Sequence, residues 1–223
     1  TILRNGNTSG SRDAAALRIA ELCSNETDAL LAGKDPNVSA HIFSGITAGY
    51  AGNSYTRNPD LWCGASIAQQ LTGIHQSVNG WIQAGSAQRI TPRHALTAGH
   101  YVPKPVGSTL KYVDFAVILF SEELPASIHT PPILSLTNRQ ESVLSAAGAP
   151  LISVSQGNAG NGSTPKNRKL WVSNMSWAEI PSDAKRAEFY HNTYFGDSGS
   201  CTFLLINGTL YLHGLQSNPI TPQ

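Results

Sequence analysis

Residues Gly196-Asp197-Ser198-Gly199 set a serine between glycines, directly after an acid. Gly, Asp and Ser are ordinary turn residues, so a simple loop explains the tetrapeptide on its own. The same spacing also suits a nucleophilic hydroxyl. A serine is a weak nucleophile unless a base takes its proton, and that base needs a third group to orient it. Of the seven histidines, His100 has the most telling neighbourhood, Thr97-Ala98-Gly99-His100. Small residues before it let the chain turn sharply and present an imidazole at a strand end. Between His100 and the Gly196-Asp197-Ser198-Gly199 segment the aspartates are Asp114 and Asp183. Asp114 opens the most hydrophobic strand candidate, Phe115 to Phe120, where a carboxylate needs a hydrogen-bonding partner such as a histidine N–H. Asp183 lies in a polar turn and is the weaker choice.

These three segments, in the order His100, Asp114, Ser198, resemble the chymotrypsin-like serine peptidases. The matching motifs are Thr97-Ala98-Gly99-His100, Asp114-Phe115-Ala116-Val117 and Gly196-Asp197-Ser198-Gly199-Ser200. Leu212 to Ser217 is similar to the family's strand that lines the substrate cleft. The resemblance spans about residues 80–219. It implies a serine endopeptidase acting on protein or peptide substrates, with no metal and no organic cofactor. Ser198 would attack the scissile carbonyl, His100 would carry its proton to the leaving amine, and Asp114 would hold the imidazole tautomer. The N–H groups of Gly196 and Ser198 would form the oxyanion hole. Activity should fall as His100 protonates, at about pH 6–7 for an ordinary imidazole.

The resemblance also places a substrate pocket between Asn192, Thr193 and Tyr194 on one side and Gln216 and Ser217 on the other. No acid stands among them, so a preference for Arg or Lys is not expected. His191 and His213 lie nearby, and packing is the favoured reading of both. Two other readings compete with the peptidase. One is a catalytically inactive homologue serving as a structural or binding module. The other is an esterase with the same triad. The chain departs from the family pattern at thirteen residues between His100 and Asp114, fewer than a full hairpin needs, and in its short C-terminal end.

The elements that must position these groups are short. From about residue 62, apolar runs of four to seven residues alternate with turn signals. Candidate strands include Ala87 to Thr91, Ala95 to Ala98, Phe115 to Phe120, Val143 to Ala146, Leu151 to Val154 and Glu188 to Tyr190. Asn207-Gly208 between Cys201 to Ile206 and Thr209 to Leu215 is a two-residue hairpin signal. The expected fold is all-β: two six-stranded antiparallel barrels of the chymotrypsin type, reduced in size, behind a partly helical N-terminal extension. The expected divisions are 1–62 for the extension, with a helix at 11–23, then 63–136 for the barrel with His100 and Asp114, and 137–223 for the barrel with Ser198.

Bulk composition excludes several classes. Hydrophobic residues make up 40%, enough for a core, while charged residues are only 13% and the net charge is +1. No basic patch points to nucleic acid, and no apolar run approaches the roughly 20 residues that span a bilayer. Cys23, Cys63 and Cys201 are too far apart for a metal-binding pair, and leave open one disulfide or none. Six Asn-x-Ser/Thr sequons, low charge and the start at Thr1 lean toward a processed, secreted or virion-associated protein.

Overall fold

The computed structural model describes residues 9–44, 56–71, 74–75, 86–99, 114–155, 169–175, 179–192 and 197–216. The chain is strand-rich and antiparallel, with helices packed among the sheets. Helix α1 (Ser9–Leu31) is followed by the one-turn α2 (Pro36–Ser39). A two-stranded ribbon pairs β1 (Phe43–Ser44) with β2 (Thr56–Arg57), and α3 (Gly64–Ala68) follows. One four-stranded sheet runs in the order β3 (Ile74–His75), β4 (Ser86–Thr91), β5 (His94–Thr97), β6 (Ala116–Leu119). Helix α4 (Asn138–Ala146) leads to β7 (Leu151–Ser155) and β8 (Lys169–Ser173), then α5 (Ala184–Glu188), β9 (Cys201–Ile206) and β10 (Thr209–Leu215). The second four-stranded sheet has the order β10-β9-β7-β8.

The expected pair of six-stranded barrels is therefore met only in part. Among the described residues each sheet has four strands, and neither closes on itself. Helices take part of the place assigned to strands. Val143 to Ala146 was expected to extend, yet it is the last part of α4. The cause lies upstream: Thr137 accepts from the Gln140 N–H, and the Gln140 side chain accepts from the Thr137 N–H. This reciprocal cap starts a helix that the following residues continue. Glu188 to Tyr190 is likewise not a strand. Asp183 caps α5 through the Arg186 N–H at 2.9 Å, and the helix runs to Glu188. Residues 80–84 and 109–113, whose sequences also suit short strands, fall outside the described residues.

Strand β9 organises the C-terminal half, because all six of its residues are buried. Alternate side chains of a strand point to opposite faces. Cys201, Phe203 and Leu205 join one core cluster, with Trp62, Ile152, Val172 and Phe189. Leu204 and Ile206 join another, with Ala16, Ile19, Ala20 and Cys23 of α1 and Leu144 of α4. The α1 contacts recur at i, i+3, i+4 and i+7, one face of a helix. The predicted helix at 11–23 thus exists but is longer, and Asn25 to Leu31 continues it without a break. Ile90 of β4 and Leu96 of β5 pack against the Trp62 cluster, so both four-stranded sheets border that core.

The hairpin joining β9 and β10 follows its sequence signal. Asn207 and Gly208 have φ of 50° and 69°, the pair of positive values that a type I′ turn demands. All three cysteines are free and buried. Burial pushes each thiol up to about 12, which leaves them as inert apolar packing.

Candidate active site

The Gly-Asp-Ser-Gly segment is a turn that presents its serine. Ser200 N–H donates to the Asp197 carbonyl at 3.0 Å, closing four residues with Ser198 and Gly199 in the centre. Gly199 has φ of +80°, the value a type II turn needs at its third residue, and one that glycine adopts without strain. The turn is tied to the neighbouring strand end. Gly199 N–H donates to the Gln216 carbonyl and Gln216 N–H donates to the Ser200 carbonyl, each at 2.8 Å. Asp197 is buried, with only 2% of its surface exposed, while Ser198 is partly exposed just before β9 begins. The backbone N–H of Ser198 donates to no carbonyl among the described residues. The Ser198 hydroxyl makes no hydrogen bond among the described residues, so it is not linked there to Asp114 or another titratable side chain.

Asp114 sits at a bend immediately before β6, partly buried, with its Oδ2 shut off from solvent. The β5–β6 register sets Thr97 opposite Ala116 and Leu96 opposite Val117. The chain therefore leaves β5 toward His100 at the end of the sheet where it comes back through Asp114. His100 itself lies outside the described residues, as do Gly196, Thr193, Tyr194 and Ser217. Asn192 is exposed at the end of the segment that follows α5.

Gln216, expected from the sequence to line a pocket, is buried. Its side chain is 2% exposed, and neither Oε1 nor Nε2 has a hydrogen-bond partner. The hydroxyl of Ser200, also 2% exposed, has none either. Buried polar atoms without partners cost free energy, roughly 1–3 kcal/mol each, and native proteins keep few of them. Three such atoms belong to the two residues, Gln216 and Ser200, whose backbones are tied to the Ser198 turn. Ser200 carried no role in the sequence reading. Nothing in sequence distinguishes it from any other serine after a turn.

His213 turns to other partners. Its Nε2 lies 3.5 Å from Glu141 Oε1 on α4, and its Nδ1 lies 3.5 Å from Thr202 Oγ1. Burial pushes its proton affinity down, and Glu141 opposes that by less. His191 moves in the same direction, chiefly through burial, then through Lys169 and His41. The unfolded chain thus binds protons at these histidines near the ordinary pH of 6.5, before the folded chain does. Stability is full above that pH and declines as pH falls through it. The melting temperature should drop between about pH 7 and pH 5.5. His213→Gln should flatten that slope, as read by thermal melts across the range, and an unchanged slope contradicts the assignment.

Among the described residues no group of three or more His, Cys, Asp or Glu side chains is arranged to hold a metal ion. Among them no helix is long and apolar enough to cross a membrane. No protein-family model matches this sequence, and no curated protein matches it significantly.

Proposed function

We propose that this protein is a secreted serine endopeptidase of the chymotrypsin type, with its strands arranged as reduced barrels. Ser198 is the nucleophile, His100 the general base and Asp114 the group that orients it. The observation that carries the reading is the Ser198 turn. It combines a partly exposed serine, an N–H that donates to no carbonyl among the described residues, and backbone bonds that fasten the turn to Gln216. The β5–β6 register supports it, because the sheet end that leads to His100 also carries Asp114.

In this reading Ser198 Oγ bonds to the substrate carbonyl carbon as His100 takes the hydroxyl proton. The carbonyl oxygen gains negative charge opposite the N–H groups of Ser198 and Gly196. The C–N bond then breaks, and His100 returns the proton to the amine. Water repeats the cycle to free the acyl group. Gln216 meets a substrate amide, and Asn192, Thr193, Tyr194 and Ser217 complete a neutral pocket.

The test is turnover of a fluorogenic peptide library beside matched ester substrates. Cleavage of peptide bonds, with uncharged residues preferred before the cut, is expected. Ester cleavage alone would favour the esterase reading. Turnover of neither by folded protein would favour a binding module.

A further inference from the structure

A cavity of about 510 Å³ lies between the β2–α3 segment and the loop that follows β6. Its walls include Arg57, Pro59, Ala65, Ala68, Gln69 and Ser127, and Arg57 is the one charged residue among the described residues that line it. The wall that carries Arg57 is firmly built. Asn58, next in sequence, donates from Nδ2 to the carbonyls of Val38 and His41 at 2.9 Å, and its Oδ1 accepts from the Asp60 N–H at 3.0 Å. The guanidinium of Arg57 rests over the Phe43 ring, 5.5 Å from its centroid.

That stacking supports one face of the guanidinium and does not answer its Nη1 donors. Nη1 is sealed from solvent and has no acceptor. Among the described residues no carboxylate pairs with Arg57. The other well-buried arginines are answered: Arg186 is paired with Asp28, and Arg89 donates to the carbonyls of Pro125 and Ile128. Burial makes the charge of Arg57 harder to keep, and lowers its proton affinity accordingly. A half-buried cation without a counter-ion, in the wall of a cavity of ligand size, demands an anion.

We propose that this cavity is a binding site for an organic monocarboxylate, whose carboxylate pairs with Arg57 and whose apolar body lies against Pro59, Ala65 and Ala68. One cation answers one negative charge. A phosphate would bring nearly two charges to a wall whose described residues offer one cation, so the chemistry favours a carboxylate. The fork of guanidinium donors also matches carboxylate geometry. A free small acid and the C-terminus of a peptide share this chemistry. The proposal does not draw on the peptidase reading, because none of the described residues that line the cavity was assigned to the Ser198 site.

Isothermal titration tests it with N-acetyl-leucine and its neutral isostere N-acetyl-leucinamide. The acid should bind and the amide should bind at least about tenfold more weakly. Arg57→Met should weaken the acid by a similar factor and leave the amide unchanged. Ala65→Phe, which fills the cavity from another wall and keeps Arg57, should abolish binding and guards against a folding defect in the first variant. Acetyl-Ala-Ala-Leu with a free C-terminus separates the sources: tighter binding than N-acetyl-leucine points to a chain terminus, and equal binding to a small acid. Equal affinity for acid and amide, no binding of either, or full binding by Ala65→Phe would overturn the proposal.

Discussion

Ser198→Ala is expected to remove peptide hydrolysis almost entirely, lowering kcat by roughly 10⁴–10⁶-fold. The fold should survive. The Ser198 side chain is partly exposed and holds no hydrogen bond among the described residues, whereas the turn is kept by backbone bonds from Gly199, Ser200 and Gln216. Alanine leaves all of these in place. Residual turnover above the uncatalysed rate is expected, because the Ser198 N–H and Gln216 still receive the substrate. Circular dichroism and melting temperature should match the wild type. Loss of activity together with loss of fold would make the serine structural.

The second large effect concerns stability. Asp28→Ala should destabilise the protein by about 2–3 kcal/mol, a fall in Tm of roughly 5–10 °C for a chain of this length. Arg186, 9% exposed, donates from Nε and Nη2 to the two Asp28 oxygens at 2.6 and 2.8 Å, and from Nη1 to the Gly148 carbonyl at 2.9 Å. Removing Asp28 strands a cation that is nearly shut off from water. The effect stays at the lower end for buried pairs, since Asp28 is 47% exposed and water replaces part of it. Asp28→Asn keeps an acceptor and should cost less. Asp13 of α1 and Arg139 of α4 form a pair whose arginine is open to solvent, and Asp13→Ala should leave Tm nearly unchanged. Equal melting of Asp28→Ala and wild type would contradict the view that α1 is fastened to α5 by this contact.

Much of the C-terminal half is legible in sequence, because its strands are continuous apolar runs ended by strong turn residues. The run Cys201 to Ile206 matches β9, and Asn207-Gly208 specifies the hairpin. Short apolar runs without clear periodicity are harder to read. Val143 to Ala146 looks like a strand in isolation, and the signal that decides it, Thr137 with Gln140, lies outside the run. α1 shows the same difficulty from the other side. Polar residues near Asn25 suggest a break, but Thr27 is fully buried and the helix continues against the core.

Site legibility divides in the same way. The serine turn is local, so its geometry follows from four residues. What surrounds it is long-range. Gln216 was placed in the pocket only by resemblance, and its burial depends on backbone bonds to a turn seventeen residues earlier. The Arg186–Asp28 pair joins residues 158 apart, and no local pattern announces it. Arg57 reads as an ordinary loop arginine until the cavity around it is seen.

The most direct measurement is intact mass after treatment with a fluorophosphonate, wild type beside Ser198→Ala, followed by peptide mapping. The account predicts one adduct on the wild type, located on Ser198, and none on the variant. An unlabelled wild type that is folded and monodisperse, or an adduct on another residue that persists in the variant, would contradict it.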